Sequence, residues 1–173
     1  NAEQAYRQML QQLFSTLQNL PRPVVIGISG AQGSGKSTLA ALLAQMFNTS
    51  DCNAAAVSLD DYYLSKAQRR QLADTVHPLL AQRGVPGTHN IAQALADARA
   101  VLAAEPVALP QFDKALDEPA ATLPAQTLDI LIVEGWCLGV AAQTEAELAT
   151  PVNKLEATAD ANGRWRRYVN TQL

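Results

Sequence analysis

An α/β domain, a parallel sheet flanked by helices in three layers, is what this sequence predicts, and three observations predict it. Short apolar runs bounded by polar turns alternate with longer stretches of helical periodicity. The last of those runs, Leu128-Asp129-Ile130-Leu131-Ile132-Val133-Glu134-Gly135-Trp136, is nearly continuous in its apolarity, as in a parallel strand covered on both faces. Between the first run and the helical stretch after it stands Gly30-Ala31-Gln32-Gly33-Ser34-Gly35-Lys36-Ser37, which meets the phosphate-binding spacing G-x-x-x-x-G-K-[ST] at every fixed position.

Val24-Val25-Ile26-Gly27-Ile28 reads as the strand entering that loop, and Thr38 to Phe47 as the helix leaving it. Backbone N–H groups cradle a dense anion only if side chains leave the approach open, which is the use of Gly30, Gly33 and Gly35. The helix beginning near Ser37 turns its free N–H groups and positive end toward the phosphates. Lys36 is placed to reach the β- and γ-phosphates, and the Ser37 hydroxyl to bind Mg²⁺. With Gln32, Ser34 and Thr38 on the same turn, these residues form the expected ATP site. The fold expectation sharpens to a three-layer P-loop NTPase arrangement.

At 173 residues the chain suits one domain. It divides into an N-terminal helix over 3–20, a nucleotide-binding core over 23–140 and a partial C-terminal segment over 141–173. A net charge of −3 argues against a nucleic-acid footprint. No apolar run approaches a membrane span, and the N-terminus has no signal-peptide pattern. Cys52 and Cys137 lack metal-ligand spacing, and a nucleotide site implies a reducing cytosol, so both are expected as free thiols of a cytoplasmic protein. Oligomeric state is left open.

In chain order, Tyr6, Met9, Leu10, Leu13, Phe14, Leu17 and Leu20 give the first helix one apolar face, and Pro21 and Pro23 end it. Ala54 to Leu59 forms a second strand, ending at Asp60-Asp61-Tyr62-Tyr63. Ligands of open parallel sheets lie beyond the carboxyl ends of the strands, so Asp60 and Asp61 stand where a metal or an acceptor hydroxyl belongs. Ser65 to Leu72 reads as a polar helix with Lys66, Arg69 and Arg70 on a solvated face. Arg83, Thr88 and His89 lie in a Gly- and Pro-rich loop, with Asn90 the N-cap of a helix over 91–104. Residues 107–124 are an excursion from the sheet in which Asp113 and Lys114 can pair with each other. Glu134 ends the third strand, where an acid holding Mg²⁺ belongs. Arg164, Arg166 and Arg167 read either as part of a lid or as the solvated start of a terminal helix.

Five stretches then resemble the P-loop small-molecule kinases related to phosphoribulokinase, uridine kinase and pantothenate kinase, and most of all the D-glycerate 3-kinase branch. They are residues 27–37, Ser58-Leu59-Asp60-Asp61-Tyr62-Tyr63-Leu64, Arg83-Gly84-Val85-Pro86-Gly87-Thr88-His89, Phe112-Asp113-Lys114 and Val133-Glu134-Gly135-Trp136-Cys137-Leu138-Gly139. The resemblance implies Lys36, Asp60, Asp61 and Glu134 as catalytic residues. It implies Ser37, Asp60 and Glu134 around Mg²⁺, and Arg83, Thr88, His89, Asp113 and Lys114 around the acceptor. It also implies a longer chain with further strands, so truncation at the C-terminus, a natural short form or completion by a partner is expected. The expected activity is ATP-dependent phosphorylation of a hydroxyl on a small hydroxy acid such as D-glycerate. The alternative is an ATP-binding module that regulates a partner and phosphorylates nothing.

Overall fold

The computed structural model describes residues 2–173. Three parallel strands, β1 (Val24–Ser29), β2 (Ala54–Ser58) and β5 (Ile130–Gly135), form the main sheet in the order β1-β5-β2. The last of them in sequence therefore lies in the centre. That position accounts for its composition: Ile130, Leu131 and Ile132 are each fully buried, as a strand with neighbours on both edges and helices on both faces requires. The register sets Glu134 opposite Ile28 on one side and Ser58 on the other.

Alternation along β5 splits the core into two. Ile130 and Ile132 face α1 (Ala2–Leu17) and α2 (Lys36–Asn48), where Leu10, Leu13, Phe14, Leu43 and Phe47 pack. Phe14 and Phe47 meet at 4.9 Å between ring centroids, which ties the first helix to the second. Leu131 and Val133 face the opposite layer, built from α4 (Ile91–Leu102) and the residues before and after it, including Tyr62, Val101, Val107 and Leu109. Helix, sheet and helix give the expected three layers.

The excursion before β5 is a short antiparallel hairpin, β3 (Phe112–Asp113) with β4 (Glu118–Pro119). The C-terminal segment is helical: α5 (Glu145–Leu148), α6 (Lys154–Ala159) and α7 (Arg164–Asn170). Both cysteines are free. No helix of the described residues is long and apolar enough to cross a membrane.

Three expectations need correcting. Lys66, Arg69 and Arg70 are expected on a solvated face, but α3 (Lys66–Thr75) buries Arg69 to 1% exposure, its guanidinium bonded to the Leu64 and Ala81 carbonyls and to Asp117. Asp113 and Lys114 do not pair. Asp113 accepts from the Ala115 and Leu116 N–H groups, and Lys114 reaches Asp60 instead. The arginines near the C-terminus are neither a lid nor merely solvated. Arg166 is buried between Asp160 and the carbonyls of Leu148 and Ala149, Arg167 pairs with Glu145, and Arg164 donates to the Thr75 carbonyl. They knit α5, α6 and α7 to one another and to α3.

Candidate active site

The parallel sheet brings three carboxyl ends to one edge. β1 runs into the phosphate loop, β2 into Asp60 and Asp61, and β5 ends on Glu134. Between them lies a cleft of about 530 Å³ lined by, among others, Gln32, Lys36, Ser37, Asp60, Lys114 and Glu134. That is ample for a small ligand.

The loop has the geometry its glycines predict. Gly33 and Gly35 have φ of 72° and 86°, in the left-handed region that side chains strain. Gly30 leaves room for the loop's side chains: a β-carbon there would stand 3.1 Å from Ser34 Oγ, a tight approach. Gly35 caps α2 with no side-chain bond, so the first turn keeps free N–H groups facing the cleft. Lys36 Nζ donates to the Ala31 carbonyl at 2.8 Å, and Ser37 Oγ donates to Glu134 Oε1 at 2.7 Å. Glu134 is 6% exposed, so its charge is buried with the Ser37 hydroxyl as its partner. A hydroxyl and a carboxylate side by side beneath a phosphate cradle are the hard oxygen donors that Mg²⁺ takes, so the residues fit that ion.

The two acids after β2 have different surroundings. Asp61 is committed to the backbone: its carboxylate accepts from Ser58 N at 3.2 Å and from Phe112 N at 3.2 Å. The first of those bonds belongs to a capping box that starts the 3₁₀ turn Leu59–Tyr62. Burial raises the Asp61 pKa above the usual carboxylate value. Asp60 faces the cleft and accepts from Lys114 Nζ at 2.8 Å. Burial pushes its pKa up as well, but the Lys114 ammonium and the Tyr63 hydroxyl outweigh that and leave it below the usual value.

His89 stacks on Tyr63 with centroids 4.2 Å apart, behind Asp60. It is buried, neither ring nitrogen has a hydrogen-bond partner, and burial lowers its pKa to about 4, only partly offset by the Asp60 charge. Thr88 is turned into its own loop: its hydroxyl donates to the Val85 carbonyl at 2.7 Å and accepts from Gly84 N. Arg83 lies over the Phe112 ring at 5.6 Å and pairs with Asp117.

Of the expected residues, the structure gathers Gln32, Gly33, Lys36, Ser37, Asp60, Asp61, Lys114 and Glu134 in one cleft. Gly30, Ser34, Gly35 and Thr38 shape the loop and helix around it. His89 borders Asp60 through Tyr63, whereas the Asp113 carboxylate and the Thr88 hydroxyl are engaged in local turns. Sequence reasoning singled out neither Asp117 nor the cleft role of Trp136. The Trp136 indole lines the cleft and donates to the Gly84 carbonyl at 3.0 Å. Its place two residues after the strand-end acid Glu134, just past the end of β5, was the available signal.

A family model described as Zeta toxin matches residues 7–78, from the first helix through the phosphate loop to the end of α3. The "Uncharacterized kinase mug58" of Schizosaccharomyces pombe is 35% identical over 131 residues, 68% of this chain and 47% of that protein. The chain is a P-loop kinase homologue. The chloroplastic D-glycerate 3-kinase of Arabidopsis thaliana is 29% identical over 169 residues, 86% of this chain and 36% of that protein. Among solved structures, the D-glycerate 3-kinase of Cryptococcus neoformans superposes with a TM-score of 0.68 at 23% identity, covering 95% of this chain and 67% of its own. The likeness to P-loop kinases of the D-glycerate 3-kinase branch, and the α/β fold, thus stand as the sequence implied. The chain spans less than half the length of the two curated relatives, 47% and 36%.

Proposed function

We propose that this P-loop kinase homologue transfers the γ-phosphoryl group of ATP to a hydroxyl of a small anionic metabolite, D-glycerate being the first candidate. The observation that carries the reading is one cleft holding both halves of the chemistry. The phosphate loop with the Ser37–Glu134 pair forms one wall, and an ionised, forward-facing Asp60 forms the other.

The residues divide the work as follows. The loop N–H groups and Lys36 hold the triphosphate and take up charge as the bond to the γ-phosphorus breaks. Ser37 and Glu134 would hold Mg²⁺, which supplies charge neutralisation on the phosphates when bound. Asp60 accepts the proton of the acceptor hydroxyl while that oxygen bonds to the γ-phosphorus and ADP leaves. Asp61 shapes the turn and takes no proton, because both its oxygens serve backbone donors. Lys114 and Arg83 are the cations on the acceptor side, so a substrate carboxylate finds a partner there. His89 stands behind Asp60 as a neutral, buried imidazole stacked on Tyr63, and so backs the acceptor side without facing the cleft. A cytoplasmic setting, where ATP is abundant, completes the reading.

The supporting comparisons are kinases at 35% and 29% identity, one of which phosphorylates D-glycerate by its name. A coupled ADP-release assay on the full-length protein tests the reading across hydroxy acids, polyols and nucleosides. Acceptor-dependent release that is fastest with D-glycerate is the expected result. ADP release that no acceptor accelerates would overturn the kinase reading.

A further inference from the structure

A cluster of charges lies just outside the cleft, and of its members only Arg83 enters the chemistry above. Asp117 sits in the tight turn between β3 and β4 with a φ of 57°, a left-handed conformation that Asp tolerates better than most residues. Its two carboxylate oxygens are divided between two arginines. Oδ2 accepts from Arg69 at 2.6 Å, and Oδ1 from Arg83. Arg69 is fully buried and fixed at its other nitrogens by the Leu64 and Ala81 carbonyls, so it is a rigid post on α3. Arg83 extends from Asp117 over the Phe112 ring to the Lys114 carbonyl at 3.5 Å. Lys66 adds a bond to the Leu116 carbonyl at 2.9 Å. The contacts of Asp117 with Arg69 and Arg83, of Arg83 with Phe112 and Lys114, and of Lys66 with Leu116 hold the hairpin turn down onto α3 and the Arg83 loop.

The hairpin carries one side chain into the cleft, Lys114, whose ammonium stands 2.8 Å from Asp60. A two-residue pair of strands cannot hold that position unaided, since isolated short hairpins are marginal in water. Burying Arg69 is costly unless its charge is answered, and Asp117 is its acidic partner. We propose that Asp117 is a positioning residue: through Arg69 and Arg83 it clamps the β3–β4 hairpin so that Lys114 is presented to Asp60 and to the anionic group of the acceptor. This rests on the kinase reading for its consequence and on the contacts alone for the clamp itself.

The test uses the full-length protein and Asp117→Asn, chosen because Asn keeps the left-handed turn and removes the charge. Competitive acetylation followed by mass spectrometry reads how firmly Lys114 is held, with exposed Lys154 on α6 as the internal reference. The Asn variant is expected to raise Lys114 labelling by about threefold or more, as release of a charge-paired ammonium should. Arg83→Lys, which keeps the charge but loses the forked contact, is expected to give a smaller rise in the same direction. Unchanged labelling in both variants overturns the clamp, whatever the turnover assay shows. With D-glycerate as acceptor, Asp117→Asn should raise its KM roughly tenfold and leave the KM for ATP within about twofold. In a Lys114→Met background the same change should add less than about twofold, because its effect passes through Lys114. Full additivity, or an equal loss in ATP affinity, would show a general structural role and refute the proposal. If wild-type protein turns over no acceptor, the kinase reading falls, and the labelling experiment decides the clamp by itself.

Discussion

Replacing Asp60 by Asn separates two roles that a charged residue at the mouth of a cleft can have. The side chain keeps its size and still accepts hydrogen bonds, so Lys114 and Tyr63 retain a partner. What disappears is the capacity to take a proton. For stability the loss is small: the pair with Lys114 is partly solvated on both sides, 60% and 32% exposed, and such pairs contribute less than about 1 kcal/mol. For a domain of this size that moves the melting midpoint by no more than about 4 °C. For turnover the loss is large, since a positioned general base contributes roughly 100- to 10,000-fold, or about 3 to 5 kcal/mol of barrier. Stability and rate therefore part by at least a factor of about 20 in equilibrium-constant terms. The assay pairs steady-state ADP release with D-glycerate against a thermal shift with Mg-ATP, which must rise if ligand binds the folded form alone. Turnover abolished with the ATP shift intact is the expected result. Turnover preserved within about threefold would refute the assignment of Asp60 as base. An ATP-binding module that phosphorylates nothing predicts the same ATP shift in both proteins and no turnover in either.

Glu134→Gln removes the anion beside Ser37, so the Mg²⁺-dependent increment in ATP affinity should fall about 10- to 100-fold while Mg²⁺-free binding stays unchanged, as titration calorimetry with and without Mg²⁺ would show. His89 is held neutral by burial, with its pKa lowered to about 4, so the unfolded chain binds its proton more readily. The stability this linkage governs is therefore whole above about pH 6.5 and is lost as pH falls toward about 4, by up to about 3 kcal/mol. Denaturant melts of His89→Phe should lose that slope over the same window, and a slope equal to wild type would contradict the assignment. At Gly87, φ is +93° and an added β-carbon would stand 2.6 Å from Tyr168 Cε1, so Gly87→Ala should cost about 1 to 3 kcal/mol and lower the melting midpoint. D-Glycerate should exceed glycerol in kcat/KM by roughly 10- to 150-fold, the worth of one charge-assisted bond. Equal rates for the two acceptors would rule out a carboxylate contact.

The parts of this molecule that were legible in the sequence are those encoded locally. The phosphate loop needs glycines at fixed offsets, so its register could be read residue by residue, and Asn90 as a helix N-cap was visible for the same reason. The three strands announced themselves as apolar runs of the right length. Their order did not, because pairing β5 between β1 and β2 joins Ile130 to Val24 and to Ala54, and nothing local records partners that distant. The same distance hid the charge pairs. Arg69 looked solvated because its neighbours Gln68 and Arg70 are polar, yet the buried side of α3 closes on Asp117, which is 48 residues away. Asp113 and Lys114 looked like a pair because they are adjacent, but Asp113 ends β3 and accepts from the N–H groups of Ala115 and Leu116 in the turn that follows, while Lys114, already in that turn, reaches Asp60.

The contact between Lys114 and Asp60 bears on the choice of acceptor. Two lysines line the cleft, each bonded at 2.8 Å, but to different partners. Lys36 donates to a neutral carbonyl, that of Ala31, and exchanging it for a phosphate oxygen replaces an ordinary hydrogen bond with a charge-assisted one about twice as strong. The exchange is downhill, so the loop gives up its lysine readily to a triphosphate. Lys114 already donates to a carboxylate, and drawing it away toward a neutral hydroxyl would be uphill by the same comparison. An acceptor that brings its own carboxylate replaces one anion with another and frees Asp60 to receive the hydroxyl proton. On the proposed kinase reading, Lys114 would then act as a selectivity element as well as a cation. The cleft would favour acceptors that carry a negative charge close to the hydroxyl to be phosphorylated, which is the arrangement in a small hydroxy acid and is absent from a simple polyol.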